Sequence, residues 1–141
     1  MALTREEREQ FLAEPYIGAL AVNAADGRAP LTVPIWYQYR PGGDLWIMTG
    51  STSRKGRLIE AAGRFSLLAD RTEPTIRYVS VEGPVTATEP ATRDQVREMS
   101  ARYLAADKVD AYVDLAMREY RDQVVMRMRP EHWFSADLGR L

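Results

Sequence analysis

The sequence predicts an α+β fold whose antiparallel sheet is closed, or nearly closed, into a small barrel. Three observations predict it. From Tyr16 to Thr88 the chain alternates apolar and polar residues in short segments separated by turn residues. Between Pro90 and Tyr120 the apolar spacing becomes helical. Alternation then returns from Val124 to Ala136. Most strands therefore come first, and a helical pair is inserted before the last ones.

The elements follow in order. Thr4-Arg5-Glu6-Glu7 has the pattern of a capping box and opens a short helix running to about Ala13. Glu14-Pro15 stops it. Tyr16 to Asn23 reads as a strand, Asp26-Gly27 as a turn, and Pro30 to Tyr39 as a second strand. Leu31, Val33, Ile35, Tyr37 and Tyr39 share one face of that strand, and Thr32, Pro34, Trp36 and Gln38 the other. Pro41-Gly42-Gly43-Asp44 turns into a third strand, Leu45 to Thr49. Two successive hairpins predict an antiparallel meander. The hydroxyls of Ser51, Thr52 and Ser53 offer N-caps for a helix from about Ser53 to Ala62, ended by Gly63. Arg64 to Asp70 is a fourth strand, Thr72-Glu73-Pro74 a turn, and Ile76 to Thr88 a fifth strand with a bulge or bend at Gly83-Pro84. Pro90 stands where a helix can begin. Val96, Met99, Tyr103 and Leu104 line one helix, and Val109, Tyr112, Val113, Ala116, Met117 and Tyr120 a second, with a break near Ala106-Asp107. Val124 to Arg129 and His132 to Ala136 are the closing strands, parted by Pro130.

Composition excludes much chemistry. The 141 residues fit one domain, 1–141, large enough to bury a core without staples. No cysteine is present, so disulfides, thiolate nucleophiles, iron–sulfur clusters and cysteine zinc sites are excluded. One histidine, His132, excludes a multi-histidine metal site within a chain. Nineteen basic against twenty acidic residues is not the footprint of a general nucleic-acid binder. The charged N-terminus does not read as a signal peptide, and no apolar run suffices for a membrane span. The expected location is the cytoplasm.

The most informative segment is Thr49-Gly50-Ser51-Thr52-Ser53-Arg54-Lys55-Gly56-Arg57. Three cations stand in the first turns of a helix, with no acid until Glu60. The helix N-terminus is already positive and prefers Asp or Glu there. A bound anion would reverse the sign, meeting free N–H groups, hydroxyls and cations. The alternatives are a phosphate site and a solvated basic patch. Pro34, inside a strand, belongs at an edge or bulge, leaving the backbone of Val33, Ile35 and Trp36 to face a planar heterocycle or simply solvent. Trp36, Trp46, Trp133, Tyr16, Tyr37, Tyr39 and Tyr78 are either core residues or the lining of an aromatic pocket. Arg127 and Arg129 read as partners in exposed salt bridges, and His132 as a structural residue.

Taken together, these segments resemble the flavin-binding split β-barrel family named after pyridoxine 5′-phosphate oxidase. Leu45 through Lys55 is similar to that family's strand followed by its Thr-x-x-x-Ser-Arg-Lys phosphate loop. Leu58-Ile59-Glu60 through Arg64-Phe65-Ser66-Leu67-Leu68 continues the match, as do the N-terminal helix, the Asp26-Gly27 hairpin and the Glu82-Gly83 strand. Pro34-Ile35-Trp36-Tyr37, Thr52-Ser53-Arg54-Lys55-Gly56-Arg57 and the Pro130…Trp133 ending resemble the actinobacterial branch of deazaflavin- and flavin-dependent oxidoreductases.

The resemblance implies an antiparallel split β-barrel with flanking helices, assembled as a homodimer with two cofactor sites between protomers. It implies that Ser53, Arg54, Lys55 and Arg57 hold a cofactor phosphate, while Thr49, Ser51 and the backbone of Val33, Pro34, Ile35 and Trp36 lie along the ring. The implied cofactor is coenzyme F420, with FMN as the alternative. The implied activity is hydride transfer to a small unsaturated organic substrate. A rival expectation is a binding protein for a flavin, a deazaflavin or a haem-type ligand, without turnover. Cations that could meet an acidic cofactor tail are Arg28, Arg64, Arg71 and Arg77. The sequence departs from the vitamin B6 oxidase itself. Leu31-Thr32-Val33-Pro34 lacks that enzyme's basic pattern, and the C-terminus lacks its Arg–His substrate motif.

Overall fold

The computed structural model describes residues 2–140. It contains helices α1 (Arg5–Ala13), α2 (Arg54–Ala62), α3 (Arg93–Tyr103) and α4 (Ala106–Glu119). The strands are β1 (Gly18–Val22), β2 (Leu31–Ile35), β3 (Tyr37–Tyr39), β4 (Leu45–Gly50), β5 (Arg64–Arg71), β6 (Arg77–Pro90), β7 (Gln123–Met128) and β8 (His132–Asp137). All pairings are antiparallel, in the order β2-β1-β5-β6-β7-β4-β3, with β8 beside β6. The sheet curls so that one face encloses the core, which is the split β-barrel expected from the sequence.

The meander does not form. The alternating run from Leu31 to Tyr39 is one strand interrupted at Trp36. Its first half pairs with β1 and its second half with β4, at opposite ends of the sheet. One segment thus supplies both ends of the main strand order, and β8 is a branching edge beside β6. Its predicted inner residues all reach the core, with Ile35, Tyr37 and Tyr39 buried and Leu31 and Val33 packed against it. At the break, the Tyr103 hydroxyl accepts from the Tyr37 N–H (3.1 Å) and donates to the Tyr16 carbonyl (2.8 Å). Tyr103 therefore satisfies backbone groups that no strand reaches.

Local signals govern the helices. Thr4 caps α1 and closes its box with Glu7. The last carbonyls of α1 are met from a distance: Arg102 donates to Ala13 and Glu14 (2.6 Å each), and the Tyr37 hydroxyl donates to Leu12 (2.8 Å). Pro90 ends β6 instead of starting a helix. The start belongs to Thr92, whose capping box with Gln95 opens α3. The α3–α4 break falls at Leu104-Ala105, slightly earlier than expected.

The register shift in β6 lies between Val85 and Ala87, not at Gly83-Pro84. Gly83 has a different cause: a β-carbon there would stand 1.8 Å from the Arg129 carbonyl oxygen. Gly83-Pro84 marks where β6 leaves β8 and takes β7 as its neighbour. Helices α3 and α4 cover the outer face of β4 and β7, α3 through Met99 with Trp46 and Val125, and α4 through Val109, Val113 and Ala116 with Met48. Among the described residues, no helix covers the outer face of the other half of the sheet, where Phe134 is exposed.

Candidate functional site

The inward side chains of β4 are Leu45, Ile47 and Thr49, all buried. Beyond Gly50 the chain turns sharply into α2. A β-carbon on Gly56 would lie 2.4 Å from the Gly50 carbonyl oxygen, so the strand end and the helix touch backbone to backbone. Ser53 organises this turn. Its hydroxyl donates to the Gly50 carbonyl (2.8 Å), accepts from the Gly56 N–H (3.1 Å) and lies 3.1 Å from the Thr49 hydroxyl. With its one proton given to Gly50, Ser53 must accept from Thr49. Both hydroxyl protons are then committed to shaping the loop. Thr52 is also engaged, donating to the Asp122 carboxylate (3.2 Å), while the Ser51 N–H donates to the Asp122 carbonyl (3.0 Å).

Several donors are left over. The amides of Arg54 and Lys55 sit in the first turn of α2, where no helical carbonyl stands behind them. The Ser51 side chain is exposed. Arg54, Lys55 and Arg57 make no ion pair among the described residues, and no acid occurs in the first turn. Burial lowers the ammonium pKa of Lys55, which marks a cation short of solvent and without a counter-charge. The arginines elsewhere are largely spoken for. Arg127 meets Glu89 at 3.5 Å and Arg129 meets Glu131 at 3.2 Å, the exposed pairing read from sequence.

Beside this loop runs an apolar trough. A cleft of about 410 Å³ between the helical pair and the sheet adjoins a second of about 360 Å³. They share Trp36, Met48, Met99, Tyr112 and Gln123. Trp36 stacks on Tyr103 with centroids 4.9 Å apart and tilts against Tyr112 at 5.6 Å. Met48 is two residues before Gly50 on β4, and Gln123 is the register partner of Gly50 on β7. Strand β4 therefore floors the trough and leads directly into the cationic first turn of α2, with the start of β7 beside it. The smaller cleft reaches Pro34 and Ile35.

The structure thus brings Pro34, Ile35 and Trp36 to the trough, and Ser51, Arg54, Lys55 and Arg57 to its neighbouring loop. Val33 stays outside the trough and packs its side chain against the core. Thr49, at 3 % exposure, faces inward, not toward the surface. Pro34 does sit on an edge strand, opposite Ala19. An edge strand tolerates the absence of the N–H that proline lacks. Among the tail candidates, Arg71 and Arg77 bind the Asp137 carboxylate (3.9 and 2.7 Å), and Arg64 lies by Glu82 and Glu131 (3.5 and 3.4 Å). Arg28 is exposed. Tyr37, Tyr39 and Trp46 belong to the core, and His132 opens β8 as an exposed residue whose Nε2 lies 4.0 Å from Glu82 and from Glu131. Sequence reasoning missed Asp122, Met48, Tyr112 and Gln123. Tyr112 was visible only as one apolar position of a helix, and Asp122 carries no spacing signal at all.

The chain matches the pyridoxamine 5′-phosphate oxidase family over residues 4–137. No curated protein matches it. Among solved structures, it is similar to an F420 reductase at 24 % identity and a TM-score of 0.71, over 89 % of this chain and 94 % of that one. A conserved hypothetical protein from Mycobacterium tuberculosis aligns at 24 % identity and a TM-score of 0.76, covering 97 % and 86 %. An FAD-binding protein from Mesorhizobium loti aligns at 22 % identity and 0.62, covering 97 % and 95 %.

Proposed function

We propose that this chain, which belongs to the pyridoxamine 5′-phosphate oxidase family, is a redox enzyme that binds coenzyme F420 and reduces a small unsaturated organic substrate. The observation that carries the reading is the pairing of three cations at the start of α2, without counter-charges among the described residues, with an aromatic trough floored by the strand that leads into them. The residues fit such a group. Arg54, Lys55 and Arg57, the first amides of α2 and the Ser51 hydroxyl suit a phosphate. Trp36, Met48 and Tyr112 suit a neutral heterocycle. Thr49 and Ser53 act one step back by holding the loop in shape. When bound, the deazaflavin supplies the hydride. The chain's own residues bind, orient and keep water from the ring.

A second reading is FMN at the same site. It is favoured by the engagement of Arg64, Arg71 and Arg77 with acids, which leaves few free cations for an acidic tail. The substrate would enter the larger cleft, whose walls are mostly apolar.

The unit we propose is a homodimer. The register aligns Pro34, Ala19, Leu68, Ser80 and Phe134 in one row across five strands of the uncovered sheet face. Phe134 is 70 % exposed there. Ile17, 52 % exposed, borders both this face and the smaller cleft, so a partner seated on it would wall the trough.

Parallel fluorescence titrations with coenzyme F420 and FMN test the proposal. The expected result is micromolar binding, tighter for F420. Replacing Lys55 and Arg57 together by alanine should weaken it by about 3 kcal/mol, roughly 100-fold. No binding of either cofactor, or an unchanged dissociation constant in the double variant, overturns it.

A further inference from the structure

The opposite end of β4 holds a second charged hollow, and it does not depend on the cofactor reading. A cleft of about 360 Å³ opens between α1, the Gly42-Gly43-Asp44 turn and the Pro130 turn. It lies roughly 16 Å from the α2 loop, five strand steps of about 3.3 Å each. Arg5, Arg8 and Arg129 line it. Arg8 stacks its guanidinium on Trp133, 4.6 Å from the ring centroid. The Arg8 Nε is buried and has no hydrogen-bond acceptor among the described residues, alone among buried side-chain nitrogen and oxygen atoms there.

The neighbouring acids do not answer it. Glu9 already accepts from the Tyr39 hydroxyl (3.1 Å) and the Gly42 N–H (3.2 Å), and its other oxygen lies 3.7 Å from Arg5. Arg129 is paired with Glu131. Arg8 forms no ion pair among the described residues. The Arg8 guanidinium thus lines the hollow without a counter-charge among the described residues, and Trp133 fixes its plane. The edge of a guanidinium matches a carboxylate in two parallel hydrogen bonds. Glu9 and Asp44 in the same walls disfavour a highly charged anion. We propose that this hollow binds a small monocarboxylate on the guanidinium of Arg8.

The test is the Arg8 Nε–Hε signal in a proton–nitrogen correlation spectrum, assigned with Arg8→Lys. The protein is titrated with sodium benzoate, with inorganic phosphate, and with sodium chloride at matched ionic strength. A saturable shift with benzoate, at least tenfold tighter than with phosphate or chloride, is the expected result. By calorimetry, Arg8→Gln should weaken benzoate binding at least tenfold, and Arg129→Gln a few-fold. The second variant serves if Arg8→Gln does not fold. A shift that merely follows ionic strength overturns the proposal. So does saturation by phosphate alone, or calorimetric binding unchanged in the arginine variants.

Discussion

Replacing Gly56 by alanine sets two effects of opposite sign against each other. In an open helix, glycine to alanine gains up to about 1 kcal/mol from backbone entropy. Here the new methyl would stand 2.4 Å from the Gly50 carbonyl oxygen, well inside the 3.0 Å that β-carbons rarely breach. That oxygen belongs to backbone, and it accepts from both the Ser53 N–H (3.1 Å) and the Ser53 hydroxyl (2.8 Å). Pushing it away weakens two hydrogen bonds of about 1 kcal/mol each and adds about 1–3 kcal/mol of overpacking. The net expectation is a loss of about 2 kcal/mol or more, which lowers the midpoint by roughly 6 °C in a chain of this size. Urea denaturation and thermal melting measure it, and flavin titration reports the displaced loop as weakened affinity. Gly63→Ala is the control. It has open space but φ +73°, so it should cost about 1 kcal/mol without touching affinity. If Gly56→Ala raises stability, or leaves flavin binding intact, the claim that the strand end and helix are in backbone contact is refuted.

Three further outcomes are expected. Burial would raise the Asp137 carboxyl, but hydrogen bonds from Arg77, the Gly139 N–H and Thr75, with the Arg77 charge, bring it down to about 2 from 3.8. A lowered carboxyl pKa gives stability that is present above the unfolded value and lost as pH falls through the folded one. Denaturation midpoints should therefore drop between about pH 4 and pH 2, and Asp137→Asn should flatten that limb; an unchanged acid limb contradicts the assignment. Tyr103→Phe strands the Tyr37 N–H and should cost about 2 kcal/mol by urea denaturation, a cost below 0.5 kcal/mol counting against its bridging role. Phe134→Glu should turn a dimer into a monomer by light scattering, and a wild-type monomer with full cofactor affinity would contradict the shared-site proposal.

What the sequence made legible was local. The capping box at Thr4, the Ser53 cap, the Gly63 stop and the inward set from Leu31 to Tyr39 depend on residues a few positions apart. What it hid was long-range. Alternation runs through Trp36 without a fault, because the pleat continues even though the pairing partner changes from β1 to β4. Nothing near Gly83 announces that the Arg129 carbonyl needs its space. The cationic loop was visible as a broken charge rule, but the trough beside it was not, since Met48, Tyr112 and Gln123 come from three separated elements. The Thr92–Gln95 box is a local signal too, two residues past a proline that ends β6.

The interruption at Trp36 has a further consequence. In most barrels, closure rests on a ladder of hydrogen bonds between the first and last strands, and either can slip. Here the two ends of the main strand order are successive stretches of one chain, joined through a single residue. The seam is therefore covalent, and its register is set by chain length. One residue inserted at the seam would rotate β3 by half a pleat, turning Tyr37 and Tyr39 outward and Gln38 inward. Homologues of this fold should accordingly vary freely in the Asp26 and Gly42 turns, while keeping the number of residues across the seam constant.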